Sequence, residues 1–184
     1  MQDSLIDKLT GLYNKKYFEK RLTNELERAK RYKRPLALLL FELDYNYFIK
    51  DYDVKWGVSY SILKQFGALI LKIYRTVDLA GRYGGETFIA ILPETPLEGA
   101  RIAGERLRKA VEEHTFIGTA NVPEIKVAIN VGVVSYPECG STIDELISAG
   151  HDAILGAKDS GGNKVVLSCM ASQAPASKEA EGLS

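Results

Sequence analysis

A chain of 184 residues, 46% hydrophobic and 26% charged, is long enough to bury a self-sufficient core as one domain. Its 24 basic and 24 acidic residues cancel, which excludes an overall pull toward nucleic acid or an anionic membrane and confines any anion site to a local arrangement. The longest apolar run, Leu36 to Phe41, is strand-sized and far short of the ~20 residues that span a bilayer, so a cytoplasmic chain without a membrane span is expected. Cys139 and Cys169 stand far apart in a sequence without a signal peptide, and two free thiols are expected rather than a disulfide.

In chain order, Thr10-Gly11-Leu12-Tyr13-Asn14 reads as a turn, and Phe18, Leu22, Leu26 and Ala29 then recur at helical spacing through a helix from Lys15 to Lys33. Pro35 ends it. The unbroken apolar run Leu36 to Phe41 predicts a strand buried on both faces. A polar, aromatic segment from Asp44 to Ser59 precedes a helix from about Tyr60 to Tyr74, whose stripe is Ile62, Phe66, Leu69, Ile70 and Ile73. Strands at Asp78 to Tyr83 and Phe88 to Leu92 flank Gly84-Gly85, a tight hairpin turn. Thr95-Pro96-Leu97-Glu98 reads as a capping box for a helix to about His114. Ile125 to Tyr136 alternates as one long strand, Ser141 to Asp144 caps a helix to about Lys158, and Lys164 to Leu167 is a last strand. From Ser168 the composition turns to Ala, Ser, Gln, Glu and Gly, so 3–168 is expected to fold and 169–184 to be a disordered tail. Strands alternating with helices predict an α/β fold around a central sheet.

The chemistry concentrates in Arg82-Tyr83-Gly84-Gly85-Glu86-Thr87-Phe88. Glycines let backbone N–H groups approach a phosphate, and Glu86 sets a hard oxygen ligand beside that spot. With Asp7-Lys-Leu-Thr-Gly-Leu-Tyr-Asn14, Glu42-Leu43-Asp44, Arg75-Thr-Val-Asp78, and Ala157-Lys158 followed by Gly161 and Asn163, the ordered string resembles the GGDEF family of diguanylate cyclases. The resemblance implies a mixed sheet of about five strands wrapped by helices, similar to nucleotidyl cyclases and polymerase palms. It also implies joining of two GTP molecules into cyclic di-GMP across a homodimer with Mg2+ or Mn2+, and a separate product-binding site.

Residue by residue, the resemblance puts metal ligands at Glu42, the Leu43 carbonyl and Glu86, which is also the catalytic position, and phosphate contacts at Gly84, Gly85 and Lys158. Glu42 stands where the family has aspartate. Thr87 replaces the fourth signature acid, and a neutral hydroxyl is a weak metal ligand that cannot act as a base near neutral pH. The guanine-reading asparagine and aspartate fall on Lys50 and Ser59 without a gap, or on Asp51 and Tyr60 with one inserted residue, so neither is kept. Asp51 would accept from guanine's N1 and N2 hydrogens but could not donate to O6. Gly162 replaces a phosphate-gripping arginine.

The product site looks complete: Arg75 to grip a guanine Hoogsteen edge and phosphate, Asp78 to accept from the Watson–Crick edge, and Arg106 as a further arginine. The bland alternative for Arg75 and Asp78 is a surface salt bridge worth under ~1 kcal/mol. The expectation is therefore a degenerate domain that binds cyclic di-GMP and reports it to the N-terminal sensor or signalling part of a longer protein. Its rivals are an active diguanylate cyclase with product feedback, which would need GTP with Mg2+ or Mn2+, and a dimerisation module that binds no nucleotide.

Overall fold

The unbroken run that begins at Leu36 becomes the middle of the molecule. In the computed structural model, which describes residues 5–44, 52–75, 77–119 and 122–168, the order is β1 (Tyr13–Asn14), α1 (Lys15–Tyr32), β2 (Leu36–Asp44), α2 (Tyr52–Ile73), β3 (Leu79–Gly84) and β4 (Thr87–Pro93). There follow α3 (Leu97–Glu113), β5 (Phe116–Thr119), β6 (Val122–Ile125), β7 (Ala128–Tyr136), α4 (Ile143–Asp159) and β8 (Val165–Leu167). The main sheet runs β1-β3-β4-β2-β7-β8, while β5 and β6 pair apart from it. β2 is antiparallel to both neighbours, and β7 and β8 are parallel. The sheet is thus mixed, five strands of working length with the two-residue β1 added at one edge.

Both faces of β2 are buried, and alternation sorts its side chains between two layers. Leu39, Phe41 and Leu43 pack with Ile62, Phe66 and Ile70 of α2 and with Leu107 and Val111 of α3. Leu36, Leu38 and Leu40 pack with Phe18, Leu22 and Leu26 of α1 and with Leu146 and Ile154 of α4. Each fully buried leucine contributes about 2 kcal/mol of transfer free energy, so this strand cannot slip by one residue without exposing one set. Phe41, Phe66 and Phe88 lock its far end, with ring centroids 4.9 to 6.0 Å apart.

α4 lies unusually close to the sheet. A Cβ on Gly132 would sit 2.3 Å from the Gly150 carbonyl oxygen, and one on Gly150 would sit 2.4 Å from Leu40 Cδ1. Only glycine at both positions lets helix and sheet meet there.

Several expectations need correction. α2 begins at Tyr52, inside the segment expected to be irregular, because extending a helix from a packed stripe adds a hydrogen bond per residue with no new nucleation cost. The long strand expected from Ile125 is divided: Ile125 pairs with Phe116 in the small hairpin, and β7 starts at Ala128. α3 has Pro96 as its N-cap and no capping box, since the Thr95 hydroxyl donates to the Pro93 carbonyl and Glu98 pairs with Arg101. In α4 the capping box sits one residue later than expected, on Thr142 and Glu145. Cys139 is disulfide-bonded and not a free thiol; separation in sequence does not measure separation in space. The tail expected at 169–184 lies outside the described residues.

Candidate functional site

Glu42 continues the β2 face that carries Leu36, Leu38 and Leu40, at the point where the apolar cover ends. Register sets Thr87 of β4 on one side of it and Asn130 of β7 on the other. Thr87 Oγ1 donates to Glu42 Oε1 at 2.8 Å, and Lys158 Nζ, near the end of α4, donates to Glu42 Oε2 at 2.5 Å. Burial pushes the Glu42 carboxyl up, but the Lys158 and Thr87 donors outweigh it and hold the group below the usual carboxylate range.

The turn beside Glu42 is one residue further on than expected. Gly84 pairs with Thr87, so Gly85 and Glu86 make the turn, and Gly85 has a φ of +51°. Arg82 grips it: Nε and Nη2 donate to the Gly85 carbonyl at 3.0 and 2.8 Å, while Nη1 reaches Asp7 at 3.4 Å. A cavity of about 530 Å³ opens here, lined among others by Glu42, Tyr60, Gly84, Gly85, Glu86 and Thr87.

The fold therefore brings together Glu42, Gly84, Gly85, Glu86 and Thr87, as expected, and Lys158 joins them through Glu42. Leu43 turns its side chain to the opposite, core face. Asp51 and Lys50 lie outside the described residues, Ser59 falls within α2, and Tyr60 is 65% exposed at the cavity wall. At Gly162 the φ is +74° and a Cβ would lie 3.2 Å from Asp44 Oδ2, so this position is shaped for glycine. The donor set does not suit a divalent cation. Both Glu42 oxygens already accept hydrogen bonds, and no three His, Cys, Asp or Glu side chains gather at ligating geometry among the described residues.

A second site lies past the end of α2. Asp78 Oδ2 accepts the Arg75 N–H at 3.0 Å, and the Asp78 N–H donates to the Arg75 carbonyl at 3.0 Å. These reciprocal bonds close the turn and fix the Asp78 carboxylate. The salt bridge of the bland alternative does not form: Arg75 makes no ion pair among the described residues, and its side chain is exposed. Arg75 and Asp78 line a cavity of about 300 Å³ walled by Ile70, Leu71, Leu12 and Tyr13. Tyr74 lines it too, with a buried hydroxyl that has no hydrogen-bond partner among the described residues. Burial pushes that hydroxyl's ionisation up, and the charges it feels are Arg106 and Asp78, which puts the exposed Arg106 of α3 in the same neighbourhood.

Sequence reasoning passed over Arg82 and Tyr74. The position of Arg82 directly before the glycine turn was a usable signal; nothing in the sequence marked Tyr74, whose lack of a partner is a tertiary property.

With this geometry in view, the family profile described as "Diguanylate cyclase, GGDEF domain" matches residues 4–164. The response regulator PleD of Caulobacter vibrioides is 32% identical over 165 residues, which is 89% of this chain and 36% of PleD. This chain thus spans little more than a third of that relative. Among solved structures, the diguanylate cyclase SiaD of Pseudomonas aeruginosa, in complex with its activator SiaC, is 30% identical with a TM-score of 0.79, covering 89% of this chain and 62% of that one. The GGDEF domain of DgcB from Caulobacter crescentus, solved with c-di-GMP, has a TM-score of 0.79 at 20% identity, covering 91% and 95%; at that identity the likeness is one of fold.

Proposed function

Because the chain belongs to the GGDEF domain family of diguanylate cyclases, we propose that it is a degenerate member that binds cyclic di-GMP through Arg75, Asp78 and Arg106 and reports its occupancy to other parts of a longer cytoplasmic signalling protein. The observation that carries this reading is the contrast between its two cavities. At Arg75 an exposed guanidinium, with no ion pair among the described residues, stands beside a carboxylate already fixed by its own turn, over an apolar wall. Arginine offers a bidentate fork to a guanine edge or phosphate, Asp78 Oδ1 can accept from guanine N–H groups, and Arg106 adds charge for the second phosphate. At Glu42 the carboxylate is spent on Thr87 and Lys158, and Gly162 supplies no phosphate grip. Folded domain 3–168 would carry both sites. Equilibrium dialysis against cyclic di-GMP tests the reading: Arg75→Ala and Asp78→Ala should each weaken binding at least about tenfold, since each removes a charge-assisted contact. Unchanged affinity in both variants would end it.

A second reading is favoured by one observation. Glu42, Glu86 and both signature glycines line a single 530 Å³ cavity, as a diguanylate cyclase with product feedback at Arg75 requires. Such an enzyme would need Lys158 and Thr87 to release Glu42 before Glu42 and Glu86 could hold the Mg2+ or Mn2+ that offsets the phosphate charge of GTP. Accumulation of cyclic di-GMP from GTP and Mg2+, abolished by Glu86→Ala, would establish it in place of the receptor.

A further inference from the structure

The residues that the family relation assigns to a divalent cation do not fit one, and the misfit has a specific origin. We propose that Lys158 is a built-in counter-ion that takes the electrostatic place of the divalent cation at Glu42, so that Mg2+ and Mn2+ are shut out while the lysine is present.

Four observations carry it. The two Glu42 oxygens are both occupied, Oε2 by the Lys158 ammonium at 2.5 Å and Oε1 by the Thr87 hydroxyl at 2.8 Å. Thr87 faces Glu42 directly in the β2–β4 ladder, so a proton donor stands where a cation would need a further negative oxygen. The lysine is delivered by a rigid element. Gly132 and Gly150 seat α4 against the sheet, Ala157 beside Lys158 is fully buried, and the Ala157 carbonyl accepts the Gly162 N–H at 2.9 Å. A neutral amide, not an acid, stands on the other flank of Glu42: Asn130 Nδ2 points at Asp44 Oδ2 at 3.3 Å, while its buried Oδ1 has no hydrogen-bond partner among the described residues.

The charge count agrees. The Lys158 ammonium offsets the Glu42 charge, so Glu42 does not add its full negative charge to that of Glu86 in the cavity, whereas a divalent cation is held by two or more anionic oxygens. A cation entering at Glu42 would have to displace the Lys158 ammonium and turn the Thr87 hydroxyl away, while shedding its own water. Glu86 lines the same cavity from the turn, so removing the lysine leaves two carboxylates facing one space.

The test is a titration of chelator-treated protein with Mn2+, read by the electron paramagnetic resonance signal of the free ion. The wild type should leave that signal unchanged into the millimolar range. Lys158→Met should bind one equivalent at least about tenfold more tightly, because it uncovers an uncompensated carboxylate. Adding Glu42→Gln to Lys158→Met should remove that site again, and far-ultraviolet circular dichroism confirms that each variant folds. One Mn2+ bound by the wild type and lost in Glu42→Gln overturns the proposal, as does a folded Lys158→Met that gains no site. The proposal does not rest on the cyclic di-GMP reading, whose own test involves neither Mn2+ nor Lys158.

Discussion

Thr87 and Glu42 stand directly opposite each other in the β2–β4 ladder, and the threonine hydroxyl donates to the carboxylate at 2.8 Å. The neutral side chain here stabilises the very group that an acid would repel.

Thr87→Glu, which restores an acid to the signature, should therefore cost about 1–2 kcal/mol at neutral pH, through a lost charged hydrogen bond and two carboxylates brought face to face. Urea denaturation measures the loss. The variant should still form no cyclic di-GMP from GTP and Mg2+, because Gly162 and the Lys158 pairing are unaltered. Turnover from this single change would show that Thr87 alone silences the site.

The Glu42–Lys158 pair should leave a signature in pH. The Glu42 carboxyl is held below its ordinary range, so its stabilisation is complete above the unfolded carboxylate pKa and is lost as pH falls through the lowered folded value. Lys158→Met lacks the lysine's share of this and keeps the Thr87 hydrogen bond. The thermal midpoints of wild type and variant should differ at neutral pH and converge on acidification. With Lys158 43% exposed, the difference should stay below about 1 kcal/mol. A gap that widens in acid would contradict the pairing.

Gly150→Ala should destabilise by about 1–3 kcal/mol, since the new methyl meets fully buried Leu40 and α4 must lift from the sheet. Chemical denaturation measures it. The same lift should loosen the Lys158 contact with Glu42, visible as a smaller stability difference between Gly150→Ala and its Lys158→Met double variant than in the wild-type background.

Tyr74→Phe removes a buried hydroxyl that has no partner among the described residues, so stability should hold or rise by up to about 1 kcal/mol. Cyclic di-GMP affinity should be unchanged if Arg75 and Asp78 carry the contacts. A loss of affinity would place the hydroxyl among the ligand's partners.

Where burial alone decided structure, the sequence was sufficient. The Leu36 run gave the central strand, and the Phe18, Leu22, Leu26 and Ala29 stripe gave α1 to within a residue. Ordered short motifs brought Glu42, Glu86 and the glycines to one cavity. Boundaries failed where local propensity competed with neighbours already in place: α2 ran back to Tyr52, and the turn moved to Gly85-Glu86 because Gly84 was taken into the ladder. The state of Glu42 was not legible. Its partners come from residues 45 and 116 positions away, so only the assembled sheet and the close seat of α4 make Thr87 and Lys158 its neighbours. The open guanidinium of Arg75 was likewise hidden, since the tetrapeptide alone allowed an ion pair with Asp78 that the turn replaces with backbone bonds.

A receptor whose ligand meets Arg75 and Asp78 must bind cyclic di-GMP in isolation. Calorimetric titration of purified, nucleotide-free protein with cyclic di-GMP tests it most directly, with the Arg75→Ala variant run alongside. Saturable heat with micromolar or tighter affinity is expected for the wild type, and its loss in the variant. A folded, empty wild type that releases no heat would contradict it and favour a module that associates without nucleotide.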